Sequence, residues 1–156
     1  MQVYDLVTLI DRILRRVTDA SLGQRNVASP GSTEYKASLE SYYSVQQRSM
    51  QPACIVSPQS VEDVSTAVKA LARLREEDEQ ASRFAIRSGG HSSWAGASNI
   101  EGGSVIDLRS LNTVELSTDK SRVSVGVGAT WGEVYEALEP HGLAANGGRA
   151  YQVGKS

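Results

Sequence analysis

Thiols, histidines and unbroken apolar stretches are all scarce in this chain. Cys54 is the one cysteine among 156 residues, which excludes an intrachain disulfide framework and any CxxC metal knuckle, so the fold must stand on its core. Two histidines, His91 and His141, are too few to build a histidine-based metal centre. Lys and Arg number 16 against 18 Asp and Glu, and the basic residues are scattered, so the electrostatic footprint of a nucleic-acid binder is missing. Asp5, Asp11, Arg12, Arg15 and Arg16 interrupt the apolar N-terminal stretch, and no later run is long enough to span a bilayer. Neither a signal peptide nor a membrane partner is expected, and the chain as written is expected in the cytoplasm; an incomplete N-terminus would make it secreted instead. Internal repeats and low-complexity tracts are absent too.

What is present is 40% apolar residues and 14 glycines, the composition of a globular domain. Val3, Leu6, Val7, Ile10, Ile13, Leu14 and Val17 recur at three- and four-residue steps and predict a docking helix from about Met1 to Val17. Residues 21–50 are polar, with a turn at Ser29-Pro30-Gly31-Ser32 and a tyrosine group at Tyr35, Tyr42 and Tyr43, so residues 1–50 form a partly helical lead-in. Ala53-Cys54-Ile55-Val56, bounded by Pro52 and Pro58, predicts a buried strand in which Cys54 is a small hydrophobe. Ser60 caps an amphipathic helix reaching about Arg75, and Phe84-Ala85-Ile86-Arg87 is a second strand. Strand, helix and strand in that order imply a parallel crossover. A strand over 104–108 follows, then a hairpin over 113–127 turning at Asp119-Lys120-Ser121. Thr130 and Glu133 make a capping box for a last helix that Pro140-His141-Gly142 ends, leaving His141 a structural role. The expected class is α+β (α/β): a mixed sheet with flanking helices, followed by the start of a second subdomain that is incomplete at the C-terminus.

One loop carries the chemistry. Arg87-Ser88-Gly89-Gly90-His91-Ser92 directly follows a strand, and paired glycines let consecutive N–H groups converge on one anion. The hydroxyls of Ser88, Ser92 and Ser93 add donors without bulk. The same composition also suits a tight surface turn, and His91 suits either a loop hydrogen bond or a nucleophile, since imidazole is available in its neutral form near neutral pH.

Pro52 to Val56 followed by Ser60-Val61-Glu62-Asp63-Val64, the RSGGHS run at 87–92, Gly96, Val105-Ile106-Asp107-Leu108 and VGVGATWGEVY at 125–135 together resemble the FAD-binding domain of p-cresol methylhydroxylase-type flavoproteins. Within that family the pattern is most similar to the berberine-bridge-enzyme and 6-hydroxynicotine-oxidase branch, which includes fungal FAD-linked oxidoreductases of secondary metabolism. The resemblance covers about residues 51–154, with Lys155-Ser156 departing from the family pattern, and implies a domain over 51–156 made of the first subdomain of that fold and part of the second. It implies FAD as cofactor, a phosphate-wrapping loop of Arg87, Ser88, Gly89, Gly90, His91 and Ser92 with Gly96, and a bond from His91 to the flavin 8α carbon. It further implies that Gly147, Gly148, Val153 and Gly154 pass near the flavin ring. Where some relatives place a second covalent cysteine this chain has Ala150, and Cys54 lies in the wrong segment to replace it. The activity implied is hydride transfer from a small organic substrate to flavin, with dioxygen as reoxidant and no catalytic base assignable. The alternative is a truncated or pseudoenzyme fragment that holds FAD weakly or not at all and does not turn over alone.

Overall fold

The computed structural model describes residues 12, 15 and 26–154. The docking helix expected over 1–17 therefore lies outside the described residues, apart from Arg12, which is 3.6 Å from Asp78, and Arg15.

Apolar runs too short for helices form the central strands. β1 (Val27–Ala28) pairs antiparallel with β2 (Cys54–Val56), while β3 (Phe84–Arg87) and β2 both run parallel to β4 (Ser104–Asp107). The order is β1-β2-β4-β3, so the crossover from β2 leaves a gap that β4 fills. Arg87 stands directly across from Asp107 in the β3–β4 register.

The two-residue period of the strands divides the core between two faces. Cys54 and Val56 of β2 and Ile106 of β4 pack under α3 (Val61–Leu74) with its Ala67, Ala70, Leu71 and Leu74. Ile55 and Val105, the intervening residues, face the other way and meet Tyr35 and Leu39 of α1 (Thr33–Glu40) together with Tyr42. Helices on both faces explain why β2 and β4 are buried along their whole length, as parallel strands require. Each fully covered Leu or Ile contributes roughly 1.5–3 kcal/mol. The part of the lead-in that is described, residues 26–50, thus supplies a strand and the side chains that cover one face of the sheet. Tyr35, Tyr42, Ser38 and Ser44 conceal this, because they are buried through hydrogen bonds: the Tyr35 hydroxyl, for example, donates to the Pro52 carbonyl at 2.8 Å.

Helix starts follow the capping residues. Ser60 accepts from the Asp63 N–H at 3.1 Å, and Thr130 and Glu133 exchange bonds to open α4 (Trp131–Leu138). Gly142, left-handed at φ 66°, closes the turn after α4, and His141 stands exposed there. The 113–127 hairpin departs from expectation in one respect. β5 (Val114–Leu116) and β6 (Val123–Val125) form a separate two-stranded sheet, because β4 already has a strand on each side. The main sheet is still mixed, through antiparallel β1. A short α2 (Val45–Arg48) lies between α1 and β2. Among the described residues no helix is long and apolar enough to cross a membrane.

Candidate functional site

The chain leaves β3 at Arg87 and enters a cleft of about 330 Å³ walled by residues 88–92, with Ile86, Leu108 and Val127 as its apolar side. A larger hollow of about 460 Å³, lined by Arg75, Glu79, Ser82 and Arg83 with Leu71 and Phe84, lies at the opposite end of β3. At the first cleft, none of the five consecutive N–H groups from Ser88 to Ser92 donates a hydrogen bond to another described residue. Unengaged donors at the C-terminal end of a parallel strand are where α/β sheets hold anionic ligands.

Gly90 needs to be glycine twice over. Its φ is +69°, and a Cβ there would stand 2.8 Å from Arg87 Nε and 3.0 Å from the Tyr42 ring. Gly89 lies backbone to backbone against Gly154: a Cβ on Gly89 would meet Gly154 N at 2.7 Å. Two segments far apart in sequence thereby come together at the cleft. Ser88 Oγ donates to the Val127 carbonyl at 2.6 Å and ties the loop to the end of β6. Ser92 accepts from the Trp94 N–H, His91 is half-buried on the cleft wall, and its ring stacks on Tyr43 at 4.4 Å between centroids.

Besides Gly154, five of the expected site residues lie outside the lining of this cleft. Arg87 points its side chain away from the cleft and into the core, fully buried, where its guanidinium donates to the Ser38 carbonyl (2.7 Å) and Ser41 Oγ (2.9 Å) and lies 3.6 Å from the centre of the Tyr42 ring. Strand alternation decides this, since Ile86 takes the cleft side and Arg87 the α1 side. Gly147 and Gly148 lie against the Trp131 indole, where a Cβ on either would collide with the ring, so they make room for that side chain. Gly96 occupies an exposed turn at φ +81° with open space around it. Val153 accepts from the Trp131 N–H at 3.0 Å and holds the segment leading to Gly154 against α4.

Behind the loop is a buried polar network that the sequence did not reveal. Asp107 accepts from Ser38 Oγ at 3.0 Å and from the Arg109 guanidinium at 2.6 Å, and its carboxylate is 3.8 Å from Arg87. Burial alone would raise the Asp107 carboxyl, but the hydrogen bonds and charge of Arg109, then the charge of Arg87, hold it below the ordinary carboxylate range. Burial lowers the Arg87 guanidinium, and it pushes the Tyr42 phenol up to about 12 despite the nearby cation, so that group stays neutral. The one signal available in sequence was that two apolar strands each end in a charge of opposite sign, and the β3–β4 register sets them face to face.

Residues 52–153 match the FAD binding domain family. The chain belongs to that family. It is 50% identical over 151 residues to the oligopeptidase PhomG' of Diaporthe leptostromiformis, covering 94% of this chain and 12% of that protein. It is 41% identical over 136 residues to the FAD-dependent monooxygenase sdcF of Emericella nidulans, covering 87% of this chain and 27% of that one. Among solved structures it is similar to 6-hydroxy-D-nicotine oxidase from Arthrobacter nicotinovorans, with a TM-score of 0.69 and 28% identity over 82% of this chain and 26% of that chain. The FAD-binding chain thus spans about a quarter of the length of the monooxygenase and the oxidase, and less of PhomG'. FAD is the family's cofactor, and the site fits it: a row of unengaged amides suits a diphosphate, and an apolar wall beside them suits an aromatic ring system.

Proposed function

We propose that this FAD-binding chain is the cofactor-holding part of an FAD-dependent oxidoreductase that takes a hydride from a small organic substrate, a secondary metabolite by analogy with its fungal relatives, and returns the electrons to dioxygen. The observation that carries the reading is the run of unengaged N–H groups at 88–92 with an imidazole at its end. Those amides bind the diphosphate charge, and because they are fixed before binding, little ordering is needed when it arrives. Ile86, Leu108 and Val127 exclude water from one side of the cleft. His91 holds the cofactor covalently through a ring nitrogen. Bound flavin supplies the two-electron acceptor for the hydride. Arg87 acts from behind, filling the space under Gly90 and so fixing the loop.

The peptidase named in PhomG' is said of a protein of which this chain covers 12%, and it lends no peptidase role here. To test the proposal, the chain is expressed, supplied with FAD, denatured and run on a gel. Flavin fluorescence that travels with the wild-type chain and is lost in His91→Ala supports the covalent holding role. A colourless folded chain refutes FAD binding, and dissociable yellow colour in both proteins refutes the covalent link while sparing the binding.

A further inference from the structure

Three consecutive residues outside the 52–153 family match grip the cofactor loop one residue at a time. The Tyr42 ring lies under Gly90, and its hydroxyl donates to the Ser98 carbonyl at 2.7 Å, beyond the loop. The Tyr43 N–H donates to the Gly90 carbonyl at 3.2 Å, while its side chain stacks on His91 with the ring planes 21° apart. Ser44 Oγ donates to the Ser92 carbonyl at 3.1 Å and, as the α2 cap, accepts from the Gln47 N–H. Tyr42 and Ser44 are buried, so both ends of the grip are fixed. Tyr43 is different: it is 64% exposed and does not fill the core. An exposed aromatic ring held by its own backbone against a single imidazole constrains that imidazole's plane and little else.

We propose that Tyr43 is a positioning residue for His91, its ring setting the plane in which the imidazole meets the flavin. The inference rests on the histidyl attachment proposed above. The bond concerned replaces one C–H of the flavin 8α methyl group and the imidazole N–H by a C–N bond; two protons leave, and the two electrons pass to dioxygen, giving hydrogen peroxide. Attack of this kind depends on the angle at which the nitrogen approaches, and small misplacements of a nucleophile cost about 10–100-fold in rate.

The experiment follows covalent incorporation over time in cofactor-free wild-type chain, Tyr43→Phe, Tyr43→Ala and Tyr43→Leu after adding FAD in air. Acid-released flavin is measured alongside, to separate loss of binding from loss of attachment. Phe keeps the stacked ring and is expected at the wild-type rate; Ala and Leu are expected about 10–100-fold slower with FAD still bound. A second readout needs no cofactor: in the proton spectrum of the cofactor-free chain, the Tyr43 ring current shifts the His91 imidazole resonances upfield, and Ala or Leu removes that shift while Phe keeps it and His141 does not move. Leu retains apolar bulk, so it decides the matter should Ala fail to fold. Wild-type rates in Ala and Leu, or equal slowing in Phe, would overturn the positioning role while leaving His91 attachment standing. Absence of covalent flavin from the wild-type chain overturns both.

Discussion

Replacing Gly90 with alanine separates two costs that the structure superimposes at one position. The first is backbone strain: at φ +69° an L side chain costs roughly 1–2 kcal/mol, offset by about 0.4–1 kcal/mol because alanine stiffens the unfolded chain. The second is crowding, since the new methyl would stand 2.8 Å from Arg87 Nε and 3.0 Å from the Tyr42 ring. Arg87 cannot swing aside, because its guanidinium is fully buried and bound to Ser38 and Ser41, so overpacking adds about 1–3 kcal/mol. Gly142 is the control: its φ is +66° and nothing lies within 4 Å of the corresponding Cβ. Gly142→Ala should therefore cost only the strain, about 1 kcal/mol or less, while Gly90→Ala costs about 2–4 kcal/mol. Urea unfolding followed by circular dichroism measures both. Equal losses within about 0.5 kcal/mol would show that nothing rigid stands under Gly90, and the account of Arg87 as the loop's support would fall.

Asp107→Asn removes the anion facing the fully buried Arg87 and should destabilise the chain by about 3 kcal/mol, measured by the same unfolding. Because the folded Asp107 carboxyl titrates below its unfolded value, its contribution is present above the unfolded pKa and is lost as pH falls through the lowered folded one. Wild-type stability should therefore decline on the acid side more steeply than that of Asp107→Asn, and parallel curves would contradict the assignment. Burial, partly opposed by the Ser104 hydrogen bond, pushes the Cys54 thiol up to about 11, so a maleimide at neutral pH should label it only after denaturant is added. Rapid labelling of the native chain would mean that β2 is not covered.

The elements that could be seen in the sequence were those whose cause is local. Period and flanking prolines mark β2, the Ser60 and Thr130 caps mark α3 and α4, and Asp119 marks the hairpin turn, where its carboxylate accepts from Ser117 and Ser121. The 88–92 loop was visible for the same reason, since adjacent glycines after a strand constrain the backbone directly. What escaped depends on partners remote in sequence. Arg87 at the mouth of the glycine loop looks like an anion ligand, and the partners that hold its side chain inward, Ser38, Ser41 and Asp107, are remote in sequence. The close approach of Gly147-Gly148 to the Trp131 indole was equally invisible, because sixteen or more residues separate the ring from the glycines. α1 looked like lead-in because half the core it supplies is phenolic, and a buried phenol is distinguishable from an exposed one only by what its hydroxyl touches.

The contact between Gly89 and Gly154 has a mechanical consequence. No side chain lies between the two stretches of main chain to cushion them, so displacing either by a few tenths of an ångström drives the other. The stretch at 150–154 is laced to the start of α4, through the Thr130–Gly154 bridge and the bonds from the Trp131 and Gly132 amides to Val153 and Tyr151. A molecule seated on the 88–92 amides would thus transmit its arrival along a rigid linkage to the first turn of that helix, with an indole there to register the strain.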